Sequence, residues 1–126
     1  MRRALVVAAV LLVGCKGETD AAFDAWQSAA CSGDTKAFWG QIDEDAVKDS
    51  IAEDNPLVKG KALDELWDEA HDTWNKEAKH GKDSDFCKYE KLGPSKDGVQ
   101  VVRRPSGGTT KMGFKHGKLV SFSSSK

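Results

Sequence analysis

Three prolines, one tyrosine and two methionines are few for 126 residues, and the longest unbroken apolar run, Ala4–Val13, is only ten residues. Scarce proline beside 39% hydrophobic residues excludes a collagen-like or proline-rich disordered chain. A ten-residue run is half of the roughly 20 apolar residues a membrane-spanning helix needs. Nor does one sign of charge dominate: 19 basic residues face 20 acidic ones. Without Met1–Gly14 the balance is 17 to 20, a net charge of −3 over 112 residues. That excludes a strongly basic nucleic-acid binder, and the length excludes a multidomain enzyme. Also missing are a Cys-x-x-Cys pair, a glycine-rich phosphate loop and any natural Ser-His-Asp order. No catalytic motif rises above background, and no cofactor or metal is expected.

What is present begins at the N-terminus. Met1-Arg2-Arg3 is a short positive segment, Ala4–Val13 an apolar one, and Leu12-Val13-Gly14-Cys15 ends it. Charge, run length and a small residue before cysteine together form a secretory signal. The four residues resemble the lipobox of bacterial lipoproteins. The resemblance implies cleavage before Cys15, a diacylglycerol thioether on its sulfur and acylation of the new amino group. The division expected is a signal peptide over 1–14, a lipidated tether over 15–20 and one α+β domain over 21–126. Two or three acyl chains hold a domain at a bilayer essentially permanently, at ~0.8 kcal/mol per buried CH₂. Lys16, where an aspartate would signal inner-membrane retention, points to an outer-membrane location facing the periplasm. With Cys15 lipidated, Cys31 and Cys87 remain, 56 residues apart in an exported chain. An oxidising compartment and the absence of metal-ligand spacing favour a structural disulfide between them.

Composition shifts near Gly81, from helical patterns to short β-type runs. Phe23, Trp26 and Ala30 share one helical face over about 20–31. Ser32-Gly33-Asp34 stops that helix, and Asp34 caps the next. Phe38, Trp39, Ile42 and Ala46 share an arc, but Val47 and Ile51 leave it, so a break near Asp43 is expected, with Asp43 capping a third helix. The acidic run Asp43-Glu44-Asp45 lacks the glycine and ligand spacing of a calcium loop. Leu57-Val58 is a candidate buried touch-point in the connection that follows. Leu63, Leu66, Trp67, Ala70 and Trp74 stripe the strongest helix, about 61–80, closed by Gly81. Four strands are expected at about 86–92, 99–103, 109–115 and 119–123, with His116-Gly117 as a two-residue hairpin turn. Met112 with Phe114, and Val120 with Phe122, should form one buried face. The short connections make an antiparallel meander covered by helices.

Helices first and a curled antiparallel sheet last resemble the α+β cone of the nuclear transport factor two-like superfamily, including its SnoaL-like cyclase relatives. The residues that carry this are Phe23 and Trp26, Ser32-Gly33-Asp34 before Phe38-Trp39, and Val58-Lys59-Gly60-Lys61-Ala62-Leu63 opening a long helix. The hairpin that often precedes that helix is missing between Ile51 and Gly60. The resemblance implies that an enzyme of this kind would place acids and bases inside the cone. His71, one turn from Trp67, is the candidate pocket histidine, with Trp67 and Trp74 as its walls. The alternative assigns His71 to the boundary and the four tryptophans to the core. His80 and His116 fall at a helix end and a turn, where exposure is expected. Lys111, Lys115, His116 and Lys118, with Arg103 and Arg104, form a basic group that could meet anionic lipid or another protein, or be a solvated sheet face. The function expected is a non-enzymatic, membrane-anchored binding or accessory module of the cell envelope. Its partners would be the bilayer, through acylated Cys15, and an envelope protein or small apolar ligand. The alternative is a small cone-fold isomerase or cyclase acting on an apolar ligand.

Overall fold

A computed structural model describes the backbone of residues 2–125 and the side chains of residues 17–124. The Cys15 side chain lies outside the described residues. Four helices precede a four-stranded antiparallel sheet: α1 (Arg2–Ser32), α2 (Thr35–Gly40), α3 (Glu44–Asp54), α4 (Lys61–Lys79), then β1 (Glu90–Lys91), β2 (Val99–Arg103), β3 (Thr109–Lys115) and β4 (Lys118–Ser125). Strand order is β1-β2-β3-β4, a simple meander. Residues 17–20, expected as tether, continue α1.

Local chemistry fixes the helix boundaries. Gly33 takes φ +78° after α1, a conformation open to glycine because it lacks Cβ. The Asp34 carboxylate then accepts from the Lys36 and Ala37 amides, and Asp43 accepts from Ala46. Each cap is worth about 1 kcal/mol. Gly81, at φ +59°, closes α4 and lies against Gly33: a Cβ on Gly81 would stand 3.4 Å from the Gly33 Cα. The C-terminal ends of α1 and α4 meet there, backbone to backbone.

The core lies between Ala22 and Phe122, and its residues come from every helix and from the sheet. Phe23, Trp26 and Ala30 are buried on α1 as their spacing demands, and Trp67 and Ala78 on α4. Leu57 is an exception: it is 96% exposed, so Leu57-Val58 is not a buried touch-point. Asn55 N–H bonds back to Ile51 and Ala52 carbonyls, turning the chain outward before Leu57.

Two strand expectations need correction. Residues 86–92 do not form one strand. Asp85–Lys88 winds into a 3₁₀ turn capped by Ser84, and only Glu90–Lys91 pairs with β2. The 3₁₀ geometry lets Phe86 face inward just where the chain is tied to α1. The second correction concerns β4. Leu119, not Val120, is fully buried, while Val120 is half-buried. The register explains it: Met112 pairs with Phe122 and Gly113 with Ser121, but Phe114 pairs with Leu119. One residue is extra in β4, a bulge that interrupts the period of two, so Leu119 and Phe122 share the inner face despite odd spacing. Leu119 also pairs with Ile42, and its backbone exchanges hydrogen bonds with Gln41 and Asp43, covering that end of the β4 edge.

Candidate functional site

All ten aromatic side chains belong to one connected set of ring contacts. Trp26 is its hub on α1, 1% exposed, with Phe23, Phe38, Phe86 and Tyr89 around it at centroid distances of 5.2–6.2 Å. Phe38 stacks on Phe86 at 5.5 Å with an interplanar angle of 8°. Offset and tilted pairs of this kind add ~0.5–1.5 kcal/mol each beyond area burial. Rings from the helices and from the sheet thus pack directly against one another in the core. Trp26 Nε1 and Gln100 Oε1 are buried there without a hydrogen-bond partner among the described residues.

The expected pocket residues Trp67, His71 and Trp74 do come together, but around a residue not placed with them beforehand. Trp39, on α2, lies 6.3 Å from Trp67 and 6.2 Å from Trp74 between centroids, and its ring stacks on His71 at 3.9 Å and 4°. Its indole N–H donates to Asn75 Oδ1 at 3.0 Å. His71 Nε2 stands 3.2 Å from Glu44 Oε1, the first residue of α3. The imidazole therefore clasps three helices: its own α4, Trp39 of α2 and Glu44 of α3. Its side chain is 37% exposed, so the histidine–carboxylate pair sits at the rim of the aromatic set, open to water. Such a pair could move a proton at the surface, but the rings beside it leave their polar partner, Asn75, already engaged. His80 and His116 are exposed.

Cys31 and Cys87 are bonded, with Cα atoms 5.1 Å apart. The bond joins the end of α1 to the 3₁₀ turn, not to a strand. Beside it the Gln27 amide donates to three carbonyls, Phe86 at 3.1 Å, Cys87 at 3.4 Å and Tyr89 at 2.9 Å. Sequence reading missed Gln27, because a glutamine beside an apolar stripe looks like any solvent-facing residue. Tyr89 turns inward, 8% exposed, and burial pushes its hydroxyl pKa up to about 12, with the Arg104 charge pulling the other way. Arg104 donates to the Thr109 carbonyl and the Thr110 hydroxyl, and Thr110 meets Ser124 at 3.2 Å. The expected basic group is split by the fold. Lys115, His116 and Lys118 form the β3–β4 tip, whereas Arg103 pairs with Thr109 at the opposite end of the sheet.

Among the described residues no cluster of three or more His, Cys, Asp or Glu could hold a metal ion, and no helix is long and apolar enough to cross a membrane. No family model, curated protein or solved structure matches the chain.

Proposed function

We propose that the chain is a membrane-anchored bacterial lipoprotein whose α+β domain is a non-enzymatic binding or accessory module of the cell envelope. The observation that carries the reading is Leu12-Val13-Gly14-Cys15, set after Arg2-Arg3 and a ten-residue apolar run. The thioether chemistry needs a free thiol, and the pairing of Cys31 with Cys87 leaves Cys15 as the cysteine that can supply one. An anchored domain gains effective concentration toward other components held at the same surface, which suits a binding role. Its finer architecture is read as a cone of the nuclear transport factor two-like kind with its aromatic rings packed against one another inside. That packing weighs against the isomerase or cyclase alternative. That alternative needs His71 beside a ligand cavity, yet the histidine stacks on Trp39 and faces Glu44 at the surface.

The test is metabolic labelling with a fatty acid, followed by membrane fractionation. Wild type should take up label and sediment with membranes, and Cys15→Ser should do neither. A wild-type chain without label, or a Cys15→Ser chain that still sediments with membranes, defeats the proposal.

A further inference from the structure

The β3–β4 tip carries a charge arrangement that folding alone disfavours. Lys115 and Lys118 are direct cross-strand partners, and both are exposed. Like charges placed opposite one another destabilise a hairpin. Between them sits exposed His116, at φ +54°, followed by Gly117 at φ +79°. This is the left-handed two-residue turn that brings the lysines face to face. Among the described residues neither ammonium has a carboxylate within ion-pairing distance. Glu18 lines the same shallow dimple as Lys115 and His116, but one carboxylate against two ammoniums leaves the tip cationic.

Two further observations say what the tip faces. The first is its place relative to the anchor. The dimple is walled on one side by Glu18, Thr19 and Ala22 and on the other by Phe114–Gly117. Glu18 follows Cys15 by three residues, a span of at most about 11 Å even when fully extended. A lipid on Cys15 therefore brings the tip to the headgroup layer. The second is the distribution of charge along the chain. Helices α3 and α4 hold eleven acidic residues and four basic ones, whereas residues 81–126 hold ten basic and four acidic. A negative surface would attract the sheet half more than the acidic helices, even though the start of α3, at Asp43, is hydrogen-bonded to Leu119 beside the tip.

We propose that the hairpin tip, through Lys115, Lys118 and His116, rests on anionic phospholipid headgroups beside the anchor. The proposal takes its tether from the lipoprotein reading, and the experiment is chosen so that the two can fail separately. Residues 15–126 contain the entire core. They are alkylated at Cys15 with a single myristoyl-length chain, whose hold on a bilayer is marginal and reversible. Partition is then measured onto vesicles of phosphatidylcholine, with and without phosphatidylglycerol. At about fivefold per lysine, the anionic vesicles should be preferred about 25-fold at low salt. The preference should shrink as salt rises. Lys115→Ala/Lys118→Ala, which relieves a repulsion and keeps the fold, should remove most of it, leaving only the share of Lys16 beside the anchor. Arg103→Ala, at the other end of the sheet, should leave it intact. Equal partition onto both vesicles overturns the proposal, and would point to an acidic protein as the partner instead. A preference undiminished in the double variant, or that Arg103→Ala removes equally, overturns it too. Because the acyl chain is added chemically, absence of natural lipidation at Cys15 would count against the anchor alone.

Discussion

Removing the Cys31–Cys87 bond tests how the helical and sheet halves are held together. The bond closes a loop of 56 residues that contains α2, α3 and α4. In the chain-entropy model a crosslink over that length lowers the entropy of the unfolded state enough to stabilise the fold by about 4 kcal/mol. The native side should change little. Gln27 still holds the Phe86, Cys87 and Tyr89 carbonyls, and Phe86 still stacks on Phe38. Most of the loss should therefore come from a more expanded unfolded chain, and this has its own signature. In guanidinium unfolding followed by tryptophan fluorescence, Cys31→Ala/Cys87→Ala should show stability lower by about 4 kcal/mol, together with a steeper denaturant dependence. Its melting temperature should fall by about 15 °C, as expected for a domain of this size. Net stabilities of ordinary domains are only ~5–15 kcal/mol, so the reduced protein would be close to its folding limit. A loss below about 1 kcal/mol with an unchanged slope would refute the reasoning, because it would mean the unfolded chain already keeps these ends together.

Two further perturbations separate packing from chemistry. Trp39→Ala should lower stability by about 2–3 kcal/mol in the same unfolding assay, since Trp39 joins Phe38, Trp67, His71 and Trp74. His71→Ala, at a half-exposed rim, should lose about 1 kcal/mol or less and still support whatever the wild-type chain supports in cells; a folded, lipid-bearing His71→Ala chain that fails there would restore the enzyme alternative. Tyr89, the single tyrosine, can be titrated by ultraviolet absorbance and should ionise near pH 12 in the native protein, against about 10 in the unfolded chain. Because the folded pKa is the higher one, the fold holds the extra proton between these values, and stability is lost as pH rises from 10 to 12, by about 2 kcal/mol once the ring's wet edge is allowed for. Ionisation at the unfolded value in a chain that is still folded would refute the burial of that hydroxyl.

Much of the fold follows from short-range chemistry, which is why it can be read along the chain. Asp34 and Asp43 cap helices because a carboxylate two or three residues before unpaired amides has few better partners, and both do so here. The α4 stripe works because its charged residues leave one apolar face. The misreadings arise where a long-range contact overrules the local pattern. Residues 86–92 alternate well enough for a strand, but the disulfide and Gln27 draw residues 86–89 onto α1, and the 3₁₀ turn satisfies both. Val120 and Phe122 match a period of two, yet the bulge between Gly113 and Phe114 shifts the inward position to Leu119. Nothing in the sequence of β4 alone marks the extra residue. Only the opposing Gly113, where a Cβ would run into the Ser121 side chain, hints at it.

The candidate site was less legible for a related reason. Trp67, His71 and Trp74 share a helix face and can be grouped by spacing, whereas Trp39 and Glu44 reach them from α2 and α3, and only the folded chain brings them near. With those partners in place the group reads as a clasp between helices more than as the wall of a pocket. The same contacts bear on where function resides. When every aromatic ring is engaged with another, a ligand entering the core would have to break ring contacts worth ~0.5–1.5 kcal/mol each before gaining any of its own. Surface recognition carries no such cost, and the surface is where the chain is strongly differentiated: acidic on α3 and α4, cationic at the hairpin tip beside Glu18. Were Cys15 lipidated as proposed, the domain would gain from a fixed orientation, because orientation decides which face a partner meets. The opposed lysines at the tip, unfavourable in the isolated hairpin, are where the proposed contact with anionic headgroups would offset that repulsion.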